Sequence, residues 1–341
     1  MSRRLSWYLI TVCSMGCFLM LAIFAVGRTP PGWFPEPLQN SVFDVRLLVA
    51  TPVKKLSSIA QGSLLDDRVY LDTFGEKFEL QNEGIKLTGT YYMPEGEGPF
   101  PGILLLHGST IEGRKLGLYR ILGRELARRG FAVVTLDRRG YGESGDPPHL
   151  DVAAAFDSTS DALAALDYLA SLDNIDVNKI HIIGHSAGAK PAFNAGVQAL
   201  RVRSIVAIGP PRRVFERFQA DGDSEMPYFQ RREMRYMMLS KPIPNEVYLE
   251  LSLSGNLEGY LDYFSTSAHK PIFLIDGSLE SELDRQYLQQ LYSEMSNPKE
   301  YLTLQDADHY ANVANFGAIV FYDRQVVGEL VRHLDSWLKA D

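Results

Sequence analysis

The stretch His-Ile-Ile-Gly-His-Ser-Ala-Gly-Ala-Lys, residues 181–190, sets one serine, Ser186, between two glycines directly after a run of branched apolar residues. A G-x-S-x-G pentapeptide arises by chance often enough that its surroundings must decide its meaning. Residues 179–183 are short, β-branched and apolar, as in a strand buried on both faces of a parallel sheet. Residues 187–200 read as a helix. A serine at a sharp strand-to-helix turn presents its hydroxyl as a nucleophile. Such a turn strains the serine backbone, and Gly184 and Gly188 remove Cβ atoms that would clash there. The helix N-terminus beneath offers free N–H groups and a positive dipole end to an oxyanion.

The same alternation extends in both directions. Residues 76–94 alternate apolar and polar around Asn82-Glu83-Gly84, which predicts an antiparallel hairpin. Strands are expected at 102–108, 132–137, 204–210, 271–277 and 300–305. Helices are expected at about 116–129, 161–172, 282–294 and 324–339, the first ending at Gly130. Strands alternating with helices give a mainly parallel sheet covered on both faces. No internal repeat is visible.

In order, the hairpin, "LLLHGST", "LDRRGYGES", "GHSAG", a long insertion, "PIFLIDGSLE" and "DADH" resemble the α/β-hydrolase superfamily from residue 76 to residue 341. The resemblance implies an α/β-hydrolase fold with a helical lid over about 211–269, in a domain running from 71 to 341. It also implies a chain order of nucleophile, acid, histidine. Serine needs a base to take its proton, and the base needs a third group to orient it.

Downstream of Ser186 stand His269, His309 and His333. His269 comes too early in that order and His333 lies inside the last helix. His309, in "LQDADHY", is similar to the family's histidine loop and is expected as the base. The acid is expected three positions after the glycine of "PIFLIDG", at Glu280. Aspartate is commoner there, so glutamate is a departure. Glu282 and Asp284 are rivals, and Asp276, which precedes the glycine, is expected to face the sheet. The oxyanion donors implied are the backbone N–H groups of Ser109 and Ala187. His107 and the loop 137–144 are expected to be structural.

The insertion crowds Arg212, Arg213, Arg217, Arg231, Arg232 and Arg235 with many aromatics. These suit an acidic substrate group, lipid phosphates or a lid over an acyl pocket, and equally solvated helix faces and a small helical core. No P-loop, dinucleotide fingerprint or metal-ligand cluster is present, so no cofactor is expected. A net charge of −8 argues against a nucleic-acid partner.

Residues 5–27 carry no charge and are long enough to cross a bilayer as a helix, with Arg3 and Arg4 before them. By the positive-inside rule, residues 1–28 are a single-pass signal anchor with a cytoplasmic N-terminus and an exported catalytic domain. A cleaved signal peptide is the rival, with Ala25-Val26-Gly27 as its site. Residues 29–70 read as a juxtamembrane linker that opens proline-rich. Both cysteines, Cys13 and Cys17, lie in the apolar segment, so the exported part has no disulfide or thiolate chemistry. The expected activity is hydrolysis of a small-molecule or lipid-like carboxylic ester through an acyl-enzyme. A peptidase or amidase, or a non-catalytic membrane-tethered binding protein, are the alternatives.

Overall fold

Strand β4 (Phe100–Leu106) divides its side chains between two cores: Leu104 and Leu106 join one, Ile103 and Leu105 the other. A strand buried on both faces cannot alternate apolar with polar, which is why it reads as an unbroken apolar run. The computed structural model describes residues 70–71, 75–110, 112–211, 247, 270–296, 299–316 and 319–340.

Among these residues the main sheet has the spatial order β2 (Glu76–Asn82), β3 (Ile85–Tyr92), β5 (Ala132–Leu136), β4, β6 (Ile175–His185), β7 (Val202–Ile208), β8 (Ile272–Gly277) and β9 (Lys299–Leu304). Strands β2, β3 and β5 pair antiparallel. From β5 to β9 every pairing is parallel. Because β5 lies on one side of β4 and β6 on the other, the chain reverses direction across the sheet there, where ligands bind beyond strand C-termini.

Helices α2 (Thr159–Ser171), α3 (Ala189–Gln198) and α4 (Glu282–Glu294) pack on one face, with Leu166, Phe193 and Leu288 in its core. Helices α1 (Gly117–Ala127) and α5 (Arg324–Lys339) pack on the other, contributing Leu122 and Leu334. Burying one such leucine contributes about 1.5–3 kcal/mol.

The hairpin, the parallel strands and the helices agree with the sequence expectations in type and order. Strand β6 starts earlier than residue 179, at Ile175, and its pairing with β4 shifts register between Pro101 and Gly102. The helix after Ser186 begins as a 3₁₀ turn, Ser186–Gly188, before α3. A second sheet had no counterpart in the reading of the sequence: β1 (Tyr70–Leu71), β11 (Ile319–Tyr322) and β10 (Val313–Phe316) pair antiparallel.

The anchor at 1–28, the linker as far as residue 69, and the insertion at 212–269 apart from residue 247 lie outside the described residues. So do both cysteines and His269. Among the described residues no helix is long and apolar enough to cross a membrane.

Candidate active site

Ser186 directly follows β6 with a φ of +51°, in the left-handed region that L-residues rarely enter. The two elbow glycines make that turn possible by close approach. A Cβ on Gly184 would meet the Gly188 carbonyl oxygen at 2.4 Å, and one on Gly188 would meet the His107 carbonyl oxygen at 2.5 Å. The serine side chain turns toward the loop after β4: a Cβ on Gly108 would lie 2.7 Å from its Cβ and 3.3 Å from its Oγ.

That loop is held on both sides of the Gly108 residue. The Gly108 N–H donates to Tyr119 Oη at 2.7 Å, so it is already committed and the next N–H along belongs to Ser109. The Gly108 carbonyl accepts from His107 Nδ1 at 2.6 Å, while His107 Nε2 accepts the Arg138 N–H at 3.0 Å. His107 is therefore neutral with its proton on Nδ1, and burial pushes its pKa well below the ordinary histidine value. The Gly108 carbonyl and the Ser109 N–H share one planar trans peptide and point in opposite directions. By fixing the carbonyl, His107 aims the Ser109 N–H.

His185, immediately before Ser186, is fully buried and has the opposite tautomer. Its Nε2 lies 2.8 Å from the His309 carbonyl, which only accepts, so Nε2 carries the proton. Its Nδ1 then accepts from Tyr119 Oη at 2.8 Å. Burial pushes its pKa down to about 3, so it is uncharged at neutral pH. Gly108, Tyr119, His185 and His309 thus form one directed chain of hydrogen bonds from the β4 loop to the histidine loop.

His309 Nδ1 lies 2.9 Å from Glu280 Oε2, with the carboxylate side chain 10% exposed and the imidazole 33% exposed. The second carboxylate oxygen accepts the Gly277 N–H at 3.1 Å. Burial pushes the Glu280 carboxyl up, yet the hydrogen bond and charge of His309 outweigh it and hold the pKa below the usual carboxylate range. A carboxylate accepting from Nδ1 fixes the tautomer that leaves Nε2 as the basic nitrogen.

Among the rival carboxylates, Asp276 is buried and accepts from Tyr301 Oη, and Asp284 takes part in the N-terminal cap of α4 with Ser281. Gly209, after β7, was not singled out by the sequence. With φ +53°, it approaches so closely that a Cβ there would meet His309 Nδ1 at 2.9 Å and Glu280 Oε1 at 3.2 Å. Ala187 follows Ser186 in the 3₁₀ turn, and His333 lies on α5. Among the described residues no cluster of histidine, cysteine and carboxylate side chains suits a metal ion.

The loop after β5 is mostly framework. Asp137 accepts from the Arg114 and Glu143 N–H groups and pairs with the Arg114 side chain. Arg139 pairs with Asp161 at 2.8 Å.

The sequence model described as "Alpha/beta hydrolase family" matches residues 103–321. Esterase EstD of Thermotoga maritima is 30% identical over 164 residues, 46% of this chain and 37% of that protein. Esterase FrsA of Enterobacter sp. is 27% identical over 132 residues, 37% of this chain and 29% of that protein. The matched region thus spans well under half the length of these relatives. Among solved structures, Est1E from Butyrivibrio proteoclasticus with bound ferulic acid is similar with TM-score 0.54 at 16% identity, covering 77% of this chain and all of that one. The 2,6-dihydroxy-pseudo-oxynicotine hydrolase is similar with TM-score 0.56 at 18% identity, covering 94% of this chain and 80% of that one. At these identities the structures speak for the fold alone.

Proposed function

Because the chain belongs to the alpha/beta hydrolase family, we propose that it is a serine hydrolase cleaving carboxylic esters through an acyl-enzyme. Ser186 is the nucleophile, His309 the base, Glu280 the residue that orients it, and the Ser109 and Ala187 N–H groups the oxyanion hole. Ser186 Oγ attacks the ester carbonyl carbon while its proton passes to His309 Nε2. The negative charge that grows on the carbonyl oxygen is met by the two N–H groups. His309 then protonates the departing alkoxide as the carbon–oxygen bond breaks. A water molecule, deprotonated by His309, attacks the acyl carbon and releases the acid with Ser186 regenerated.

The observation that carries this reading is the 2.9 Å contact of His309 Nδ1 with Glu280, on a loop tied by its backbone to the residue before Ser186. The esterase names of relatives near 30% identity support an ester over an amide. The uncharged stretch 5–27 supports a membrane tether with the catalytic domain exported, and hence small-molecule or lipid-like esters as substrates.

Fluorophosphonate labelling of the wild-type chain, beside Ser186→Ala and His309→Ala, tests the nucleophile and base. A graded acyl-chain ester series read in parallel sizes the pocket. Labelling that survives Ser186→Ala overturns the assignment. A folded wild type that neither labels nor hydrolyses any ester favours the binding-protein alternative.

A further inference from the structure

Three arginines around the β5 loop are buried: Arg114, Arg138 and Arg139 are 4%, 7% and 5% exposed. Two have carboxylate partners. Arg114 meets Asp137 and Glu143, and Arg139 meets Asp161 and Glu83. Among the described residues Arg138 makes no ion pair. Its Nη1 donates one long bond to Ser158 Oγ at 3.4 Å, and its guanidinium carbon lies 4.5 Å from the Tyr141 ring centroid. Its Nε and Nη2 are buried with no hydrogen-bond partner.

A guanidinium does not release its proton, so this side chain stays cationic wherever it is put. Burying a cation without an anion is costly, and stacking on one tyrosine offsets only part of that. The two unpartnered nitrogens share one edge of the planar group. An edge of two parallel N–H donors receives both oxygens of a carboxylate at once.

The position is next to the proposed chemistry. The Arg138 N–H holds His107, and the hydroxyl of Tyr141 lies 3.3 Å from Ser109 Oγ. Only β4 stands between β5, which leads into Arg138, and β6, which leads into Ser186. Two strand spacings put the two backbones about 10 Å apart at these strand ends.

We propose that Arg138 is the recognition residue for a second, anionic carboxylate on the substrate, held through Nε and Nη2 while the ester carbonyl lies at Ser186. The reach to Ser186 rests on that residue being the nucleophile; the anion site itself stands on Arg138. With the two backbones about 10 Å apart and a hydrogen bond of about 3 Å at the guanidinium, an acyl chain of about six carbons is the length to test first. A half-ester of a linear dicarboxylic acid fits that description.

The test compares an aryl half-ester of adipic acid with the matching aryl hexanoate on the full chain; the two differ in the terminal carboxylate. Wild type is expected to favour the half-ester by about tenfold or more in kcat/KM, the effect of about 1.4 kcal/mol. Arg138→Met is expected to collapse that ratio, and Arg138→Lys, with charge but no fork, to fall between. Independently of turnover, adipate is expected to raise the unfolding temperature of the full chain carrying Ser186→Ala, and to lose that effect when Arg138→Met is added. A wild-type ratio near one with no adipate-dependent shift overturns the proposal, as does a ratio that Arg138→Met leaves unaltered. Should Arg138→Met not fold, the wild-type ratio and the adipate shift decide. A chain that hydrolyses neither ester yet is stabilised by adipate keeps the anion site and removes the nucleophile assignment.

Discussion

His185 Nε2 donates to the main-chain carbonyl of His309 across 2.8 Å, so the residue beside the elbow serine holds the loop that carries the second histidine. Through Tyr119 the same chain reaches the Gly108 N–H. Three loops that are far apart in sequence are therefore fixed by one buried hydroxyl and one neutral imidazole.

Tyr119→Phe removes that hydroxyl and leaves the Gly108 N–H and His185 Nδ1 buried without partners. Each orphaned group costs about 1–3 kcal/mol, which denaturant unfolding measures. If the chain positions the loops for reaction, kcat falls about tenfold while KM stays nearly constant. Unaltered kcat in a destabilised but folded variant would limit Tyr119 to a structural role.

Glu280→Gln keeps the shape and removes the charge that, in the proposed mechanism, stabilises an imidazolium at His309. A drop in kcat of about 10²–10⁴ is expected. Glu280→Asp withdraws the carboxylate by about 1.5 Å, one carbon–carbon bond, from both the 2.9 Å contact with His309 and the 3.1 Å contact with the Gly277 N–H. Steady-state kinetics of the two variants separate charge from reach. Full activity in Glu280→Gln would transfer the role to another carboxylate.

Gly209→Ala adds one methyl group where the nearest atom is His309 Nδ1 at 2.9 Å, at a backbone φ of +53°. Strain of about 1–2 kcal/mol comes with the left-handed conformation alone. The methyl also wedges between His309 and Glu280, so the loss in kcat should exceed anything the change in stability accounts for. A variant that is less stable yet has wild-type kcat would show that the pair tolerates displacement.

Acid sensitivity should begin above the carboxylate range. Burial pushes His185 down to about 3 and His181 down to about 4, from an ordinary value of 6.5. Between those limits the unfolded chain binds protons that the folded chain refuses, so stability falls as pH drops below about 6.5 and keeps falling toward 4. Glu143, held down to about 2 by Lys115 and Arg114, adds its own loss only below its ordinary 4.5. Urea unfolding at pH 7.5, 5.5 and 4.5 checks the sign, and His181→Asn should flatten the upper part of the curve. Stability that rises on acidification through this range would contradict it.

What could be read from the residues follows from how local each constraint is. Ser186 announces itself because the strand, the two glycines and the helix of its turn are contiguous, and β4, β7 and β8 because burial on both faces leaves unbroken apolar runs. The Glu280–His309 contact was legible through the spacing of each from its strand in a resembling family. Gly209, Tyr119 and His185 were not, since each matters through what approaches it from another part of the chain. Arg138 and Arg139 stand side by side in the sequence; only the fold gives Asp161 to one and, among the described residues, no carboxylate to the other. The β10–β11 pairing escaped because four-residue strands carry too short a pattern to separate from a loop.

The left-handed backbone of Ser186 gives selection something to work against. Glycine would occupy φ +51° at no steric cost, so Ser186→Gly should leave the fold more stable by about 1 kcal/mol while deleting the hydroxyl. A library screened only for heat resistance would drift toward glycine at 186, and one screened for turnover would hold the serine. The residue would then be identified, with no substrate in hand, as the place where the two screens disagree.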